Sequence, residues 1–71
     1  MRYRITTILR PGILDNAGKA TTRALKSLGF DDVANVRIGK ITVLECSAEK
    51  IEKIAKSITN EVMETYKIEE I

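Results

Sequence analysis

The segment that most resembles a chemical site is GILDNAGKAT, residues 12–21, which contains the glycine, lysine and threonine of a phosphate-binding loop. In such a loop, four residues separate the first glycine from the Gly-Lys pair, and a magnesium-binding serine or threonine follows at once. Here five residues intervene, and Ala20 occupies the place of the hydroxyl. The Asp15 carboxylate inside the segment would also repel phosphate. The spacing therefore argues against nucleotide binding.

The same residues are typical of the beginning of a helix. Pro11 and Gly12 favour a turn, and Asp15 is a good N-cap because its carboxylate can accept hydrogen bonds from free N–H groups of the first turn. Gly18 would then fall inside the helix, where glycine lowers stability. We therefore expect Gly18 to permit the close approach of another backbone segment.

Most catalytic chemistry is excluded by composition. The chain has 71 residues, no histidine and the single cysteine Cys46, which excludes Ser-His and Cys-His pairs, disulfides and cysteine-rich zinc sites. We predict no catalytic residue, no metal and no cofactor bound by this chain.

A net charge of +2 and 4% aromatic residues give no reason to expect a nucleic acid or a membrane as partner. With no leader or membrane span in the sequence, the expected location is cytoplasmic.

Hydrophobic periodicity predicts four strands and two helices. Alternating or continuous apolar runs predict strands at residues 2–9, 33–39, 41–46 and 65–70. Helical spacing predicts a first helix over residues 15–28, ended by Gly29. A second helix is expected to be capped by Ser47, with an apolar stripe formed by Ile51, Ile54, Ala55, Ile58 and Val62.

The order β-α-β-β-α-β predicts an α+β fold, the ferredoxin-like sandwich, as a single domain over residues 1–71. Right-handed crossovers would place both helices on one face of an antiparallel four-stranded sheet. The strand at residues 41–46 is expected at the centre of that sheet.

One face of this sheet has no helix to cover it. The strand at residues 41–46 is apolar on both faces, with Ile41 and Val43 on the open one, where Ile8 is also expected. A few exposed β-branched residues need no explanation. Because a core of this size is marginal, however, we expect a second copy of the chain to cover Ile8, Ile41 and Val43.

A longer motif carries a family resemblance. It runs through Pro11-Gly12, Leu14-Asp15, Gly18-Lys19-Ala20, Ala24-Leu25, Leu28-Gly29 and Val36-Arg37-Ile38-Gly39-Lys40. This pattern resembles PurS, the small subunit of phosphoribosylformylglycinamidine (FGAM) synthase. The chain departs from the family pattern at Asn16-Ala17, and its C-terminus is somewhat short.

The resemblance implies a non-catalytic accessory subunit in purine biosynthesis. It would form a homodimer or tetramer and bridge a glutaminase subunit (PurQ) and a synthetase subunit (PurL), assisting ammonia transfer. ATP and magnesium would be used by the synthetase. A different class also remains open, an ACT-like domain that senses a small molecule and has the same element order.

Four charged residues are candidates for contact with partner subunits. Arg37 and Lys40 are expected at a tight hairpin, and Asp15 and Lys19 at the entrance of the first helix. Each also has a purely structural interpretation, as a turn charge, a helix cap or a solvated lysine.

Overall fold

A computed structural model describes residues 1–71 and contains three strands and two helices. The elements are β1 (Arg2–Leu9), α1 (Asn16–Ser27), β2 (Gly39–Glu45), α2 (Ile51–Ile58) and β3 (Glu64–Glu70). The sheet has the order β2-β1-β3, and both pairings are antiparallel. Neither helix has the length and apolar character needed to cross a membrane.

Strand β1 is the centre of the sheet and separates its two faces. Tyr3, Ile5 and Thr7 are buried on the core face, in the alternation that is typical of a strand. Ile5 lies opposite Thr42 of β2 and Ile68 of β3. Strand β2 lies at an edge, so the prediction that residues 41–46 form a central strand is wrong.

The core consists of β1 packed against α2. Its buried apolar residues are Tyr3, Ile5, Ile51 and Ala55, and the partly buried side chains around them are Leu44, Cys46, Ile54, Tyr66 and Ile68.

Helix α2 begins at Ile51 without a side-chain cap, so the expected cap at Ser47 is wrong. The apolar stripe also ends before Val62, which lies beyond the helix and is 83% exposed.

The predicted fourth strand, residues 33–39, does not form, and the four-stranded sheet is wrong. Asn35 adopts a left-handed backbone conformation with φ of 56°, which interrupts an extended chain. The N–H of Ile38 donates to the Asp15 carboxylate at 2.8 Å. The N–H of Ile38 is thus bound to the residue that caps α1 and not to a neighbouring strand.

Helix α1 does not lie on the sheet, so the prediction that both helices share one face is wrong. Its only buried residue is Gly18. It ends in a Schellman motif, in which Gly29 donates to Lys26 and Phe30 donates to Leu25, and this confirms Gly29 as the stop. The radius of gyration is 15.1 Å, compared with about 11 Å for a compact chain of this length.

The beginning of α1 is fixed by Asp15, which is buried and acts as the N-cap. One carboxylate oxygen accepts from the N–H of Gly18 at 2.7 Å, and the other accepts from Ile38 at 2.8 Å. The hydrogen bonds from Ile38 and Gly18, together with the nearby charge of Arg37, hold the pKa of Asp15 below its usual range despite desolvation. This carboxylate therefore ties the helix to the segment before β2.

Gly18 lies against the same segment. A Cβ atom at this position would overlap the carbonyl oxygen of Val36 and approach the Asp15 carboxylate. The expectation that Gly18 permits the close approach of another backbone is confirmed.

Gly18→Ala should destabilise the chain, although alanine is the better helix former. We expect a loss of about 1–3 kcal/mol in the free energy of unfolding, because the methyl group must displace backbone. Ala20→Gly, on the exposed side of α1, is the matched control and should cost about 1 kcal/mol through helix propensity alone. Urea unfolding of both variants measures this, and a more stable Gly18→Ala variant would show that the contact with Val36 is wrong.

Asp15→Asn should make the stability less dependent on pH. Because the folded-state pKa of Asp15 is lowered, its contribution is complete above the unfolded value of about 3.9 and is lost as the pH falls through the folded pKa. Unfolding curves at a series of pH values should show that wild type is more stable than Asp15→Asn at neutral pH and that the difference in the free energy of unfolding decreases in acid. A difference that stays constant with pH would contradict this role of Asp15.

Candidate functional site

An open groove of about 350 Å³ lies where the loop after β1 meets the segment before β2. Its lining residues are Gly12, Ile13, Leu14, Asp15, Lys19, Asn35 and Arg37. Three of the four charged residues predicted for partner contact, Asp15, Lys19 and Arg37, therefore lie together. Sequence spacing alone did not reveal this, since the irregular path of residues 33–38 brings Arg37 here.

Arg37 stabilises the wall of this groove. Its guanidinium donates to the carbonyl oxygens of Leu9, Arg10 and Ile13 at 3.3, 3.1 and 3.2 Å. The planar fork of arginine suits this triple contact, which a lysine could not reproduce. Arg37 was expected at a tight hairpin, but no such hairpin exists because residues 33–38 form no strand.

Lys19 differs from its two neighbours in the groove. Asp15 has both oxygens occupied by backbone N–H groups, and the Arg37 guanidinium is bound to carbonyls. Lys19 is exposed and makes no side-chain hydrogen bond within the chain. Of the three residues, it has the charge most available to another molecule.

Lys40 lies away from this groove. It is part of β2, opposite Thr7, and its Nζ lies 3.5 Å from the carbonyl oxygen of Ile58. A cation there is favourable because the carbonyl groups at the end of α2 carry partial negative charge. Lys40 borders a second groove of about 230 Å³ together with Glu64.

The opening of α1 is not arranged to hold phosphate. A phosphate-binding loop directs free N–H groups of a helix N-terminus at its ligand. Here the N–H of Gly18 already donates to Asp15, whose lowered pKa keeps the carboxylate ionised at neutral pH. The interpretation of residues 12–21 as a helix beginning is therefore confirmed in its geometry.

The open face of the sheet carries the three residues predicted for self-association. Ile8, Ile41 and Val43 are 40%, 64% and 49% exposed. Beside them Arg4 makes two hydrogen bonds of 3.2 Å to Glu69, which lower the pKa of that carboxyl. The face is thus apolar at β2 and charged at β3.

Sequence reasoning missed two cations that accompany Lys19. Arg23 and Lys26 follow it at i+4 and i+7 on α1 and are likewise exposed. We call Lys19, Arg23 and Lys26 the basic row. The spacing that marks it was present in the sequence, and so was the absence of acidic residues from α1. The row becomes distinctive only because α1 lies off the sheet.

Comparison with known proteins covers nearly the whole chain. The family model PurS, described as phosphoribosylformylglycinamidine (FGAM) synthase, matches residues 2–70. A curated relative from Synechocystis sp., phosphoribosylformylglycinamidine synthase subunit PurS, is 49% identical over 45 residues. That alignment spans 63% of this chain and 45% of the relative's length.

Solved structures of similar sequence share the fold. Bacillus subtilis PurS superposes with a TM-score of 0.79 at 31% identity, over 96% of this chain and 94% of that one. Methanocaldococcus jannaschii PurS, described as one of the subunits of formylglycinamide ribonucleotide amidotransferase in the purine biosynthetic pathway, gives 0.80 at 28% identity, over 99% and 96%. With its two helices, its three-stranded antiparallel sheet and a family match over residues 2–70, this chain belongs to the PurS family of FGAM synthase.

Proposed function

We propose that this chain is a non-catalytic accessory subunit of FGAM synthase that bridges the glutaminase and synthetase subunits and assists ammonia transfer. The family match over residues 2–70 is the observation that carries the proposal. In this assignment the PurL and PurQ subunits hold the chemistry, and ATP and magnesium are used by the synthetase. The family match and the relatives give no support to an ACT-like sensor.

The distribution of apolar surface supports a role in assembly. Four apolar side chains are buried, whereas twelve large ones are exposed: Met1, Ile8, Leu14, Leu28, Phe30, Ile38, Ile41, Val43, Ile58, Val62, Met63 and Ile71. A core of four residues gives little stability to a chain of this length. Contacts with other chains would bury part of this exposed surface.

The first such contact is a second copy of the chain. A homodimer or tetramer that covers Ile8, Ile41 and Val43 would bury the apolar half of the open face. It would also cover β2, whose outer edge is unpaired in the single chain. A cytoplasmic location stays a prediction.

Among the candidate contacts with the larger subunits, we retain Lys19 and Lys40. Asp15 and Arg37 make hydrogen bonds inside this chain. Their substitution would therefore disturb folding and would not measure contact with a partner. Lys19 is free, and Lys40 makes a single long contact of 3.5 Å. These two lysines are therefore the better probes.

Val43→Asp should weaken self-association by about 100-fold or more, because assembly would bury an unpaired carboxylate. Val62→Asp introduces the same change at an exposed position outside the sheet and should leave the mass unchanged. Sedimentation velocity over a range of concentrations measures both variants. A wild-type chain that is monomeric at micromolar concentration, or a Val43→Asp variant with unchanged mass, would contradict the assignment of this face.

Removal of this chain from a reconstituted synthase should reduce the glutamine-dependent rate far more than the ammonium-dependent rate. Free ammonium at high concentration reaches the synthetase without a bridge, whereas ammonia from glutamine must pass between subunits. The measurement is the pair of initial rates, with and without this chain, at saturating ATP and magnesium.

The ratio of the two rates separates the alternatives. An equal loss of both rates would indicate a direct role in the synthetase site and would contradict the bridging role. If neither rate changed, the chain would not act as a subunit of this synthase in solution.

A further inference from the structure

We infer that the basic row of α1, Lys19, Arg23 and Lys26, is a docking surface for a carboxylate-rich face of one of the larger synthase subunits. The inference rests on the proposed function and adds to it the surface and the chemistry of the partner. Family membership alone does not indicate which surface of the chain contacts a partner, or what charge that partner surface carries.

The first step is the position of the helix. Helix α1 projects from the sheet, and its contacts run to the segment that follows it, through Gly18 against Val36 and through the hydrogen bond from Phe30 to Leu25. The side of α1 that faces this segment contains Gly18 and the half-buried Thr22 and Leu25. The flank of the helix about 100° around from that side is exposed and free for another molecule.

The second step is the charge on that free side. The three basic residues recur at i, i+4 and i+7, so they share one face over about 10 Å of helix. Helix α1 has no acidic residue, and the one ion pair in the chain joins Arg4 to Glu69 on the sheet. Along the chain, α1 is preceded by Asp15, which is buried and bound by backbone N–H groups, and followed by the exposed Asp31 and Asp32, which form no ion pair with the row.

The third step concerns the surroundings of the row. Arg10 and Arg37 lie at the same end of the molecule, and their guanidiniums donate to carbonyl oxygens and to no carboxylate. Neither guanidinium forms an ion pair, although the buried Asp15 carboxylate lies near enough to Arg37 to interact with its charge. The field at this end of the chain attracts a negatively charged surface and accelerates its association.

A second copy of this chain is a poorer occupant. A two-fold interface centred on the row would bring one basic row against another. The exposed apolar residues of the open face offer self-association a surface without that repulsion. The row is thus left for a partner of opposite charge.

The test is the affinity of the oligomer for the larger subunits after charge reversal. A triple variant, Lys19→Glu with Arg23→Glu and Lys26→Glu, is compared with Lys50→Glu, Lys53→Glu and Lys56→Glu. The control changes the net charge equally on exposed positions at α2, and each set includes the last-turn lysine of its helix. Circular dichroism and sedimentation velocity establish that both variants keep the fold and the mass.

The α1 variant should bind the purified larger subunits about 100-fold more weakly than wild type, and the α2 control within about threefold. The wild-type affinity should fall with added salt, and that of the α1 variant should change less. Equal binding by wild type and the α1 variant, or equal loss in both variants, would overturn the inference alone. Failure of the wild-type chain to bind any larger subunit would overturn the proposed function itself.

Two other possible partners of the basic row would give different results in these experiments. If the α1 variant dissociates into monomers, the row contacts a second copy and the inference is wrong. If wild type, but not the α1 variant, binds a single-stranded RNA at the same salt while the subunits bind both equally, the occupant is nucleic acid. Both results would overturn an acidic protein face as partner.

Discussion

The path of the chain depends on one buried carboxylate that serves two segments. Asp15 caps α1 through Gly18 and holds Ile38 through its second oxygen. The N–H of Ile38, just before β2, is thereby bound to the residue that caps α1 and is not available to extend the sheet. The absence of a fourth strand, the free edge of β2 and the projection of α1 all accompany this arrangement. The same arrangement leaves twelve large apolar side chains exposed and available to other chains.

Sequence patterns predicted the elements whose own residues decide their conformation. The alternation in β1, the N-cap at Asp15 and the stop at Gly29 are local properties, and the structure has each of them. The segment at 33–39 was misread because Val36 and Ile38 alternate as in a strand. Its hydrogen-bond partners, Asp15 and the carbonyls reached by Arg37, lie about twenty residues or more away. Periodicity contains no information about such partners.

The candidate site was predicted only in part for the same reason. The residue types at Asp15, Lys19 and Arg37 indicated charge near a turn, yet two of these charges are engaged within the chain. Lys40 was grouped with Arg37 by sequence proximity, although it lies in β2 and approaches the end of α2. Distinguishing a charge that holds the fold from one that faces solvent required the geometry. The apolar residues on the open face were predictable, since the period of a strand assigns them to a face directly.

The pairing of β1 with β3 has a consequence for biosynthesis. Residues 2–9 lie beside residues 64–70, and the N–H of Ile71 donates to Arg2. Strand β1 therefore lacks one of its two neighbours until β3 has been translated. Contacts between distant parts of a chain form slowly, and an apolar strand is prone to aggregate for as long as it is unpaired. In the nascent chain, β1 would have only β2 as a partner, so chaperone contact should be greatest before β3 emerges.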